Sequence, residues 1–306
     1  MIRYTLGRLA QAVLAVWAVV TIVFCLTRLS GNTAELMAPP QATPEDVAAI
    51  EHNLGLDRSL VVQYGKYLWN LLHGDLGESF SYRQPVSSLL ATALPKSIEL
   101  GLVAFAFALV VGGALGTLSA FRAGSIVDRS AKGVALLGQS VPAFWFGIVL
   151  VYVFSIKLGW VPPFGYGSWK QIVLPAIALG WLPLAGIGRL TRSAVLEVLQ
   201  SDHTTFERSK GISTRELVAH TLRNASLPVV TLAGIQLGWL ISGTVVIETL
   251  FAWPGTGQLA IQAINSRDYA VVQGVALVVT AIFVFLLFLV DLSYGWLDPR
   301  VRRAAT

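Results

Sequence analysis

The chain has 306 residues, of which 55% are hydrophobic and only 13% are charged. Soluble domains carry roughly 25% charged residues, so this composition excludes an ordinary water-soluble protein and makes lipid the solvent for much of the chain. The formal net charge of +5 is typical of basic residues that flank membrane spans, and we do not expect nucleic-acid binding.

Apolar runs long enough to cross a bilayer, about 20 residues each, recur along the chain. The first run is not followed by an A-x-A-like site, so it is expected to be a retained helix and not a cleaved signal. The fourth contains Pro175 and Pro183, which membrane helices tolerate where neighbouring helices satisfy the freed backbone groups, and is expected to face protein. The six predicted spans are Leu9–Leu29, Ile98–Phe121, Gly133–Leu158, Ile172–Leu190, Leu227–Leu250 and Val271–Leu292.

Lysine and arginine set the predicted orientation, because cytoplasmic loops are enriched in them. Their distribution favours a cytoplasmic location for both termini. The basic residues placed inside are Arg3, Arg8, Arg122, Arg129, Lys132, Arg189, Arg192, Arg208, Lys210, Arg215, Arg223, Arg300, Arg302 and Arg303, and those placed outside are Arg58, Lys66, Arg83, Lys96, Lys157, Lys170 and Arg267. Arg28 lies near the outer end of the first span.

The segment from Ser30 to Pro95 is the largest polar region of the chain and is expected on the outer side. One short helix is predicted here with Thr43 as its cap, Pro44 at its first position and Gly55 after its end. A second is predicted within residues 63–80. Its apolar face consists of Tyr64, Leu68, Leu71 and Leu72.

A charged insert, at about residues 192–226, separates the fourth and fifth apolar runs. Thr204 and Glu207 fit a capping box, and Gly211 is suited to end that short helix in a left-handed conformation. Ser213 and Glu216 fit a second capping box at the start of an amphipathic helix. Asn224 and Pro228 are expected to mark the exit of this helix into the fifth span. Such an element is either a docking surface for another protein or a solvated connector.

Several stretches, in the same order over nearly the whole chain, carry a resemblance to a known family. They are LGLD (54–57), GDLGESF (74–80), SVPAFW (140–145), LPAIALG (174–180), Lys210-Gly211 followed by LRNASLP (222–228), VIETLFAWPGTGQLAIQAINSRDYAVVQG (246–274) and LVDLSYGWLDPRVRR near the C-terminus. Together they resemble the permease subunits of ABC importers in the dipeptide/oligopeptide/nickel family. At Asp202-His203 the insert departs from the aspartate–tyrosine pair that is frequent in that family.

The resemblance implies an all-α integral membrane protein with the six-helix fold of type I ABC importer permeases. Residues 1–95 would form an N-terminal span with an outer-side insertion, and residues 96–306 the core permease domain with five spans. The expected partners are a second permease, two ATPase subunits, an extracytoplasmic substrate-binding protein and membrane lipid; a different chain is favoured as the second permease, and an identical one is left open. The chain itself would bind no cofactor, ATP and Mg²⁺ being used by the ATPases, and it would lie in a bacterial inner membrane.

The resemblance also assigns roles to particular residues. The insert would be the coupling helix that sits in a groove of an ATPase, with support from a second group and an outer loop along the substrate pathway. The coupling residues are Thr205, Phe206, Glu207, Arg208, Ser209, Lys210 and Gly211; the support residues are Arg223, Asn224 and Pro228; and the outer-loop residues are Glu248, Trp253, Pro254, Gly255, Gly257, Arg267 and Asp268.

Some of these residues keep a second interpretation. Glu248 either lines the pathway or anchors the outer loop. Trp253, with Pro254 and Gly255, forms a re-entrant plug or a contact for the binding protein, or is an aromatic anchor at the membrane interface. Asp291 is expected to be paired or solvated at the inner interface, although an intramembrane charge is by default a functional-site hypothesis.

The cargo is left open between di- or oligopeptides and nickel or a metal chelate, since the stretch 164–169 is similar to nickel-branch permeases. Cys25 is the only cysteine, and the histidines are scattered, so a bare metal is not expected to be held in the pore.

The rival functions are an intramembrane enzyme and a stand-alone carrier or channel. The nearest serine-protease-like motif, around Ser242-Gly243, lacks its first glycine, and the step Gly65-Lys66 lacks the other residues of a nucleotide-binding loop. A stand-alone carrier would transport small solutes without ATP and would leave the capped insert unexplained.

Overall fold

The computed structural model describes residues 2–29, 38, 41–242 and 244–297, and most of these residues are helical. The helices are α1 (Ile2–Leu29), α2 (Pro44–Leu54), α3 (Leu60–Leu72), α4 (Val86–Phe121), α5 (Ile126–Ser140), α6 (Ala143–Leu150), α7 (Trp169–Leu199), α8 (Asp202–Ser209), α9 (Thr214–Ser242), α10 (Val245–Leu250), α11 (Thr256–Asn265) and α12 (Tyr269–Leu297). A π-helix, Val151–Lys157, continues α6, and two short antiparallel strands, β1 (Glu78–Ser79) and β2 (Gln84–Pro85), precede α4.

Four of the described helices, α1, α4, α7 and α12, are long and apolar enough to cross a membrane. The predicted third span is wrong as a single straight helix, because α5 and the helix from Ala143 to Lys157 meet at an angle of 111°. Val141 is extended, with φ −95° and ψ 120°, as expected for a residue that precedes a proline. Taken together, α5 and the helix that follows it would make a fifth crossing. Helix α9 occupies the segment in which the fifth span was predicted. The total of six spans remains a prediction.

The centre of the fold is the contact between α4 and α7. A Cβ added to Gly112 would lie 2.7 Å from the carbonyl oxygen of Leu184, and one added to Gly116 would overlap the carbonyl oxygen of Gly188. The two backbones therefore approach as closely as glycine permits, which is how membrane helices without large side chains at the interface pack. Pro175 and Pro183 are buried inside a continuous α7, so the expectation that this helix faces protein is confirmed.

The outer segment folds as its local signals predict. Thr43 caps α2 in a reciprocal capping box, here with Asp46, and Gly55 ends the helix at φ 70°. The N-terminal half of α3 contacts α1 through Tyr64, whose hydroxyl group lies 2.6 Å from that of Thr21, whereas Leu72 of the predicted apolar face is 82% exposed. Because α4 begins at Val86, the proposed boundary between residues 95 and 96 falls inside this helix.

The helices that border and form the insert are longer than the sequence indicates. The helix that carries the fourth span extends to Leu199, nine residues beyond the predicted end. The exit predicted at Asn224 and Pro228 is wrong, because α9 runs through both residues into the apolar segment without a break. Proline inside a membrane helix is tolerated when neighbouring groups satisfy the freed backbone. The side chain of Asp291 and the basic C-terminal residues from Arg300 onward lie outside the described residues.

Candidate functional site

The short helix α8 is held at its start by the end of α7. Ser201 is its N-cap and accepts a hydrogen bond from the Thr204 amide at 3.4 Å. Thr204, which is 1% exposed, donates its hydroxyl to the carbonyl oxygen of Val198 at 2.6 Å. The prediction that Thr204 is the cap is therefore wrong by one turn. Its hydroxyl instead binds the Val198 carbonyl at the C-terminus of α7, which also accepts a hydrogen bond from the Ser201 hydroxyl at 2.7 Å.

The end of α8 and the start of α9 match the sequence prediction. Gly211 has φ 75°, a left-handed conformation that glycine adopts at little cost. Ser213 donates its hydroxyl to the Glu216 carboxylate at 2.9 Å and accepts a bond from the Glu216 amide at 3.3 Å. The hydrogen bonds from the side chain and backbone of Ser213 lower the pKa of the Glu216 carboxyl group. A capped turn of fixed shape therefore joins the two helices.

Most of the predicted coupling residues present their side chains outward. Phe206 is 59% exposed, and the ammonium of Lys210 lies 4.3 Å from the centre of its ring. Glu207 differs, because it is only 15% exposed and its carboxylate accepts a hydrogen bond from Nδ1 of His220 at 2.8 Å. This contact joins α8 to α9. The other exposed members of the set are Thr205, Arg208, Ser209 and Gly211.

The predicted support residues lie farther along α9. Arg223, Asn224 and Pro228 are all exposed, on a stretch of helix that has already left the turn at Gly211. Their supporting role stays a prediction. The residues that brace the insert within the described chain are instead Ser201, Thr204 and His220.

A buried ion pair joins α7 to the first turn of α5. Asp128, 1% exposed, accepts two hydrogen bonds from Arg192, at 2.7 and 3.1 Å. It also accepts bonds from the Ser119 hydroxyl at 2.6 Å and the Lys132 ammonium at 2.9 Å. The sequence analysis missed this joint, although one acidic residue among the basic residues that follow α4 was a signal for it. Two-pronged pairing of arginine with a carboxylate is geometrically strict, so the joint holds both helices in one arrangement.

On the opposite side of the membrane-spanning helices, Glu248 organises the outer loop, which we define as residues 245–268. Its side chain is completely buried and accepts hydrogen bonds from the Ser97 hydroxyl at 2.7 Å, the Gly257 amide at 2.7 Å and the Gln258 amide at 3.1 Å. The Ser97 hydroxyl also accepts a bond from the Thr256 amide at 2.8 Å. The first amides of a helix have no partner within that helix. Glu248 and Ser97 supply those partners to α11 from elsewhere in the chain, which favours loop anchoring for Glu248.

The two glycines of the W-P-G-x-G stretch make room for that carboxylate. A Cβ on Gly255 would lie 2.5 Å from the carboxyl atoms of Glu248, and one on Gly257 would lie 2.5 Å from the Cα of Val245. Any side chain at either position would displace Glu248 or the backbone of α10. The two glycines of the motif are therefore needed to leave space for the buried Glu248 side chain.

Trp253 is a core residue of the protein. It is 1% exposed, donates its indole N–H to the carbonyl oxygen of Lys96 at 2.9 Å and meets the ring of Tyr166 edge-on at 4.8 Å. The alternative of an aromatic anchor at the lipid interface is therefore wrong. Pro254 is partly buried beside it.

Arg267 and Asp268 end the outer loop in different ways. Asp268 is 1% exposed and accepts hydrogen bonds from the Ser79 hydroxyl at 2.6 Å and the Ser81 amide at 3.2 Å. It thereby joins the strand pair to the start of α12. Arg267 is exposed and has φ 55°, so its place in the loop is set by the backbone turn.

Comparison with known proteins identifies two regions of the chain. Residues 112–303 match the family described as binding-protein-dependent transport system inner membrane component, and residues 1–101 match the N-terminal region of such membrane components. A putative peptide transport system permease protein of Brucella abortus (strain 2308) is 43% identical, over 97% of this chain and 98% of its own length. The di/tripeptide transport system permease protein DppB of Pseudomonas aeruginosa (strain UCBPP-PA14) is 38% identical, over 99% of both chains.

Two further comparisons agree with these. The glutathione transport system permease protein GsiC of Salmonella paratyphi A (strain ATCC 9150 / SARB42) is 36% identical, over 99% of both chains. Among solved structures, a chain of the MetNI methionine ABC transporter in inward-facing conformations aligns with a TM-score of 0.51 at 20% identity, over 72% of this chain and 97% of its own. This likeness shows the fold.

These comparisons favour a transporter subunit over a stand-alone carrier, and over an enzyme, since separate ATPase subunits hydrolyse ATP in ABC importers. The chain is an integral, multi-pass membrane permease, and it belongs to the family of inner membrane components of binding-protein-dependent transport systems.

Proposed function

We propose that this permease forms one half of the translocation pathway of an ATP-driven importer of di- or oligopeptides. The other half would come from a second, different permease. Two ATPase subunits would bind on the cytoplasmic side, and an extracytoplasmic binding protein would deliver the cargo. The peptide assignment is supported by relatives that are named for peptide, di/tripeptide and glutathione transport. Nickel or a metal chelate, suggested by the stretch 164–169, is an arm of the test below.

The observation that carries the coupling role is that α8 is hydrogen-bonded to a neighbouring helix at each of its ends. Its first turn is bonded to the end of α7 through Ser201 and Thr204, its last turn is joined to α9 through Glu207 and His220, and Phe206 remains exposed. Coupling between distant sites needs an element with two discrete arrangements, and a helix fixed at both ends moves as one body. The exposed side of α8 is therefore the proposed seat for an ATPase groove.

The proposed cycle follows from that arrangement. The ATPases, with their own ATP and Mg²⁺, would close on nucleotide binding and shift α8, and the Asp128–Arg192 joint would carry the shift into α5 and α7. Hydrolysis would reverse it. The distribution of basic residues supports placing α8 and both termini in the cytoplasm of a bacterium whose inner membrane holds the complex.

The outer loop would act at the other end of the pathway. Glu248, Trp253 and Asp268 fix it to α4 and to the strand pair. We assign it the role of a firm outer wall, against which the binding protein docks.

The test replaces Gly211 by proline in the complete transporter. Gly211 has φ 75°, whereas proline fixes φ near −65°, so the turn between α8 and α9 must distort. We expect ATP hydrolysis to continue while ATP-dependent uptake of a labelled dipeptide falls at least about tenfold. Gly211→Asn is the matched control, because asparagine tolerates the left-handed region.

Full uptake by the proline variant would refute the coupling role of α8. The same vesicles would be given labelled nickel, with and without a histidine-like chelator. Uptake of nickel but not of the dipeptide by the unmodified transporter would overturn the peptide assignment and leave the permease role in place.

A further inference from the structure

A cavity of about 680 Å³ opens between α5, α7 and α9. Three leucines and Gly186 line it together with three polar residues, one from each helix: Gln139, Arg189 and Gln236. Ligand sites in proteins have this character, with a mostly apolar wall of roughly 300–1,000 Å³ and a few polar groups that orient the ligand. All three residues belong to helices that the sequence places in or next to the membrane.

The cavity lies at the break between α5 and α6. Gln139 is the residue before the last one of α5, which ends at Ser140 where the chain turns by 111°. In secondary transporters, substrate sites are typically formed by interrupted helices, and the break in α5 offers the same kind of position here. Across the cavity, a Cβ on Gly186 would lie 3.2 Å from the amide nitrogen of Gln236. The Gln236 side chain therefore lies over bare backbone of α7.

Arg189 is the cation of this cavity. It is exposed, and among the residues that the structure describes it has no carboxylate partner. Arg192, one turn further along α7, is by contrast paired with Asp128 at 2.7 Å. Arg189 is the last residue but one of the predicted fourth span, at its cytoplasmic end, and an ionisable residue in a membrane span is by default a functional-site hypothesis. A guanidinium presents N–H donors in a fork that matches a carboxylate.

We propose that this cavity is a transit site for a substrate that carries amide groups and a free carboxylate. Arg189 binds the carboxylate, while Gln139 and Gln236, which each offer both a donor and an acceptor, bind the amide groups. The inference rests on the proposed function, and it adds the chemical feature by which this chain itself recognises cargo. A small solute without a carboxylate would leave Arg189 unpaired in the closed pathway.

The first test measures the charge of the cavity and needs no cargo. In the assembled transporter, Cys25→Ser removes the only thiol of this chain and Leu232→Cys places a new one in the cavity wall, and labelling is measured on this chain alone. The probes are an anionic sulfonatoethyl and a cationic trimethylammonium-ethyl methanethiosulfonate. We expect Arg189→Gln to lower the ratio of anionic to cationic labelling rates at least about threefold, and Arg122→Gln, outside the cavity, to leave it unchanged. An unchanged ratio in Arg189→Gln overturns the assignment.

The second test uses the cargo. A dipeptide should slow labelling of Leu232→Cys with Arg189 intact, and Arg189→Gln should lower dipeptide uptake roughly tenfold or more, the scale of one charge-assisted hydrogen bond. Arg189→Lys should restore part of the uptake, and immunoblots would check that each variant reaches the membrane. If the unmodified transporter takes up no peptide, the proposed function fails. If it takes up peptide, and Arg189→Gln matches it with no protection of the thiol, the inference alone is overturned.

Discussion

Replacing Glu248 by alanine is expected to release the outer loop. The carboxylate accepts hydrogen bonds from the amides of Gly257 and Gln258 in a site with no exposed surface. Alanine leaves both amides buried without a partner, and each orphaned donor costs about 1–3 kcal/mol. Ser97 keeps its bond with Thr256, which limits the loss. The two amides together give an expected destabilisation of about 2–6 kcal/mol.

Thermal unfolding of the purified chain in detergent measures this loss. For a protein of this size, 1 kcal/mol corresponds to roughly 2–4 °C, so the midpoint should fall by about 10 °C. Glu248→Gln should fall less, because its carbonyl oxygen still serves α11 and its amide can donate to Ser97. Glu99→Ala is the matched control, since Glu99 is an exposed glutamate that accepts one bond, from Tyr166 at 3.1 Å. Equal shifts for Glu248→Ala and Glu99→Ala would refute the anchoring argument.

Two further predictions concern other parts of the chain. Gly116→Ala should destabilise the chain by about 2–3 kcal/mol, because its Cβ would overlap the backbone of α7. Gly113→Ala, with open space around its Cβ, should change the stability by no more than about 0.5 kcal/mol in the same thermal assay. Similar losses of stability in the two variants would refute the close packing of α4 on α7. The protection factor for hydrogen exchange at the start of α9, which is corrected for the intrinsic effect of pH on exchange, should fall as the pH drops through the lowered pKa of Glu216, because the ionised form makes the bonds with Ser213 that stabilise the helix start. Glu216→Gln should remove this pH dependence, and its persistence there would contradict the assignment to Glu216.

What the sequence predicted correctly here is local. The caps of α2, the left-handed Gly211 and the capping box at Ser213 depend on side chains within three or four positions of the backbone groups they satisfy. The start of α8 was misplaced for the same reason, because Ser201 and Thr204 are both competent caps and only the fold decides which amide each one meets. Pro228 was taken as a boundary although a membrane helix absorbs it.

The elements that hold the candidate sites together are separated widely in sequence. Ser97 and Glu248 are 151 positions apart, and Asp128 and Arg192 are 64 apart. No pattern of sequence spacing predicts that residues so far apart are in contact. Each of them could equally have been expected to bind a lipid headgroup or water. The family resemblance pointed to the outer loop and the insert as functional regions. Why the loop needs glycine at positions 255 and 257 became clear only from the structure, which places the Glu248 carboxylate against both residues.

The Asp128–Arg192 joint lies closer to the C-terminal end of α7 than to the break at the end of α5. Along α7, Arg192 is seven residues from the end of the helix, about 10 Å at 1.5 Å per residue, while along α5 Asp128 is twelve residues from the break at Ser140, about 18 Å. If the two helices turn about this joint as a single rigid piece, a push of 1 Å at the foot of α7 becomes a displacement of nearly 2 Å at the break in α5. The ion pair would then act as a pivot point, and because the two helix segments differ in length, a small movement on the cytoplasmic side would produce a larger one within the membrane.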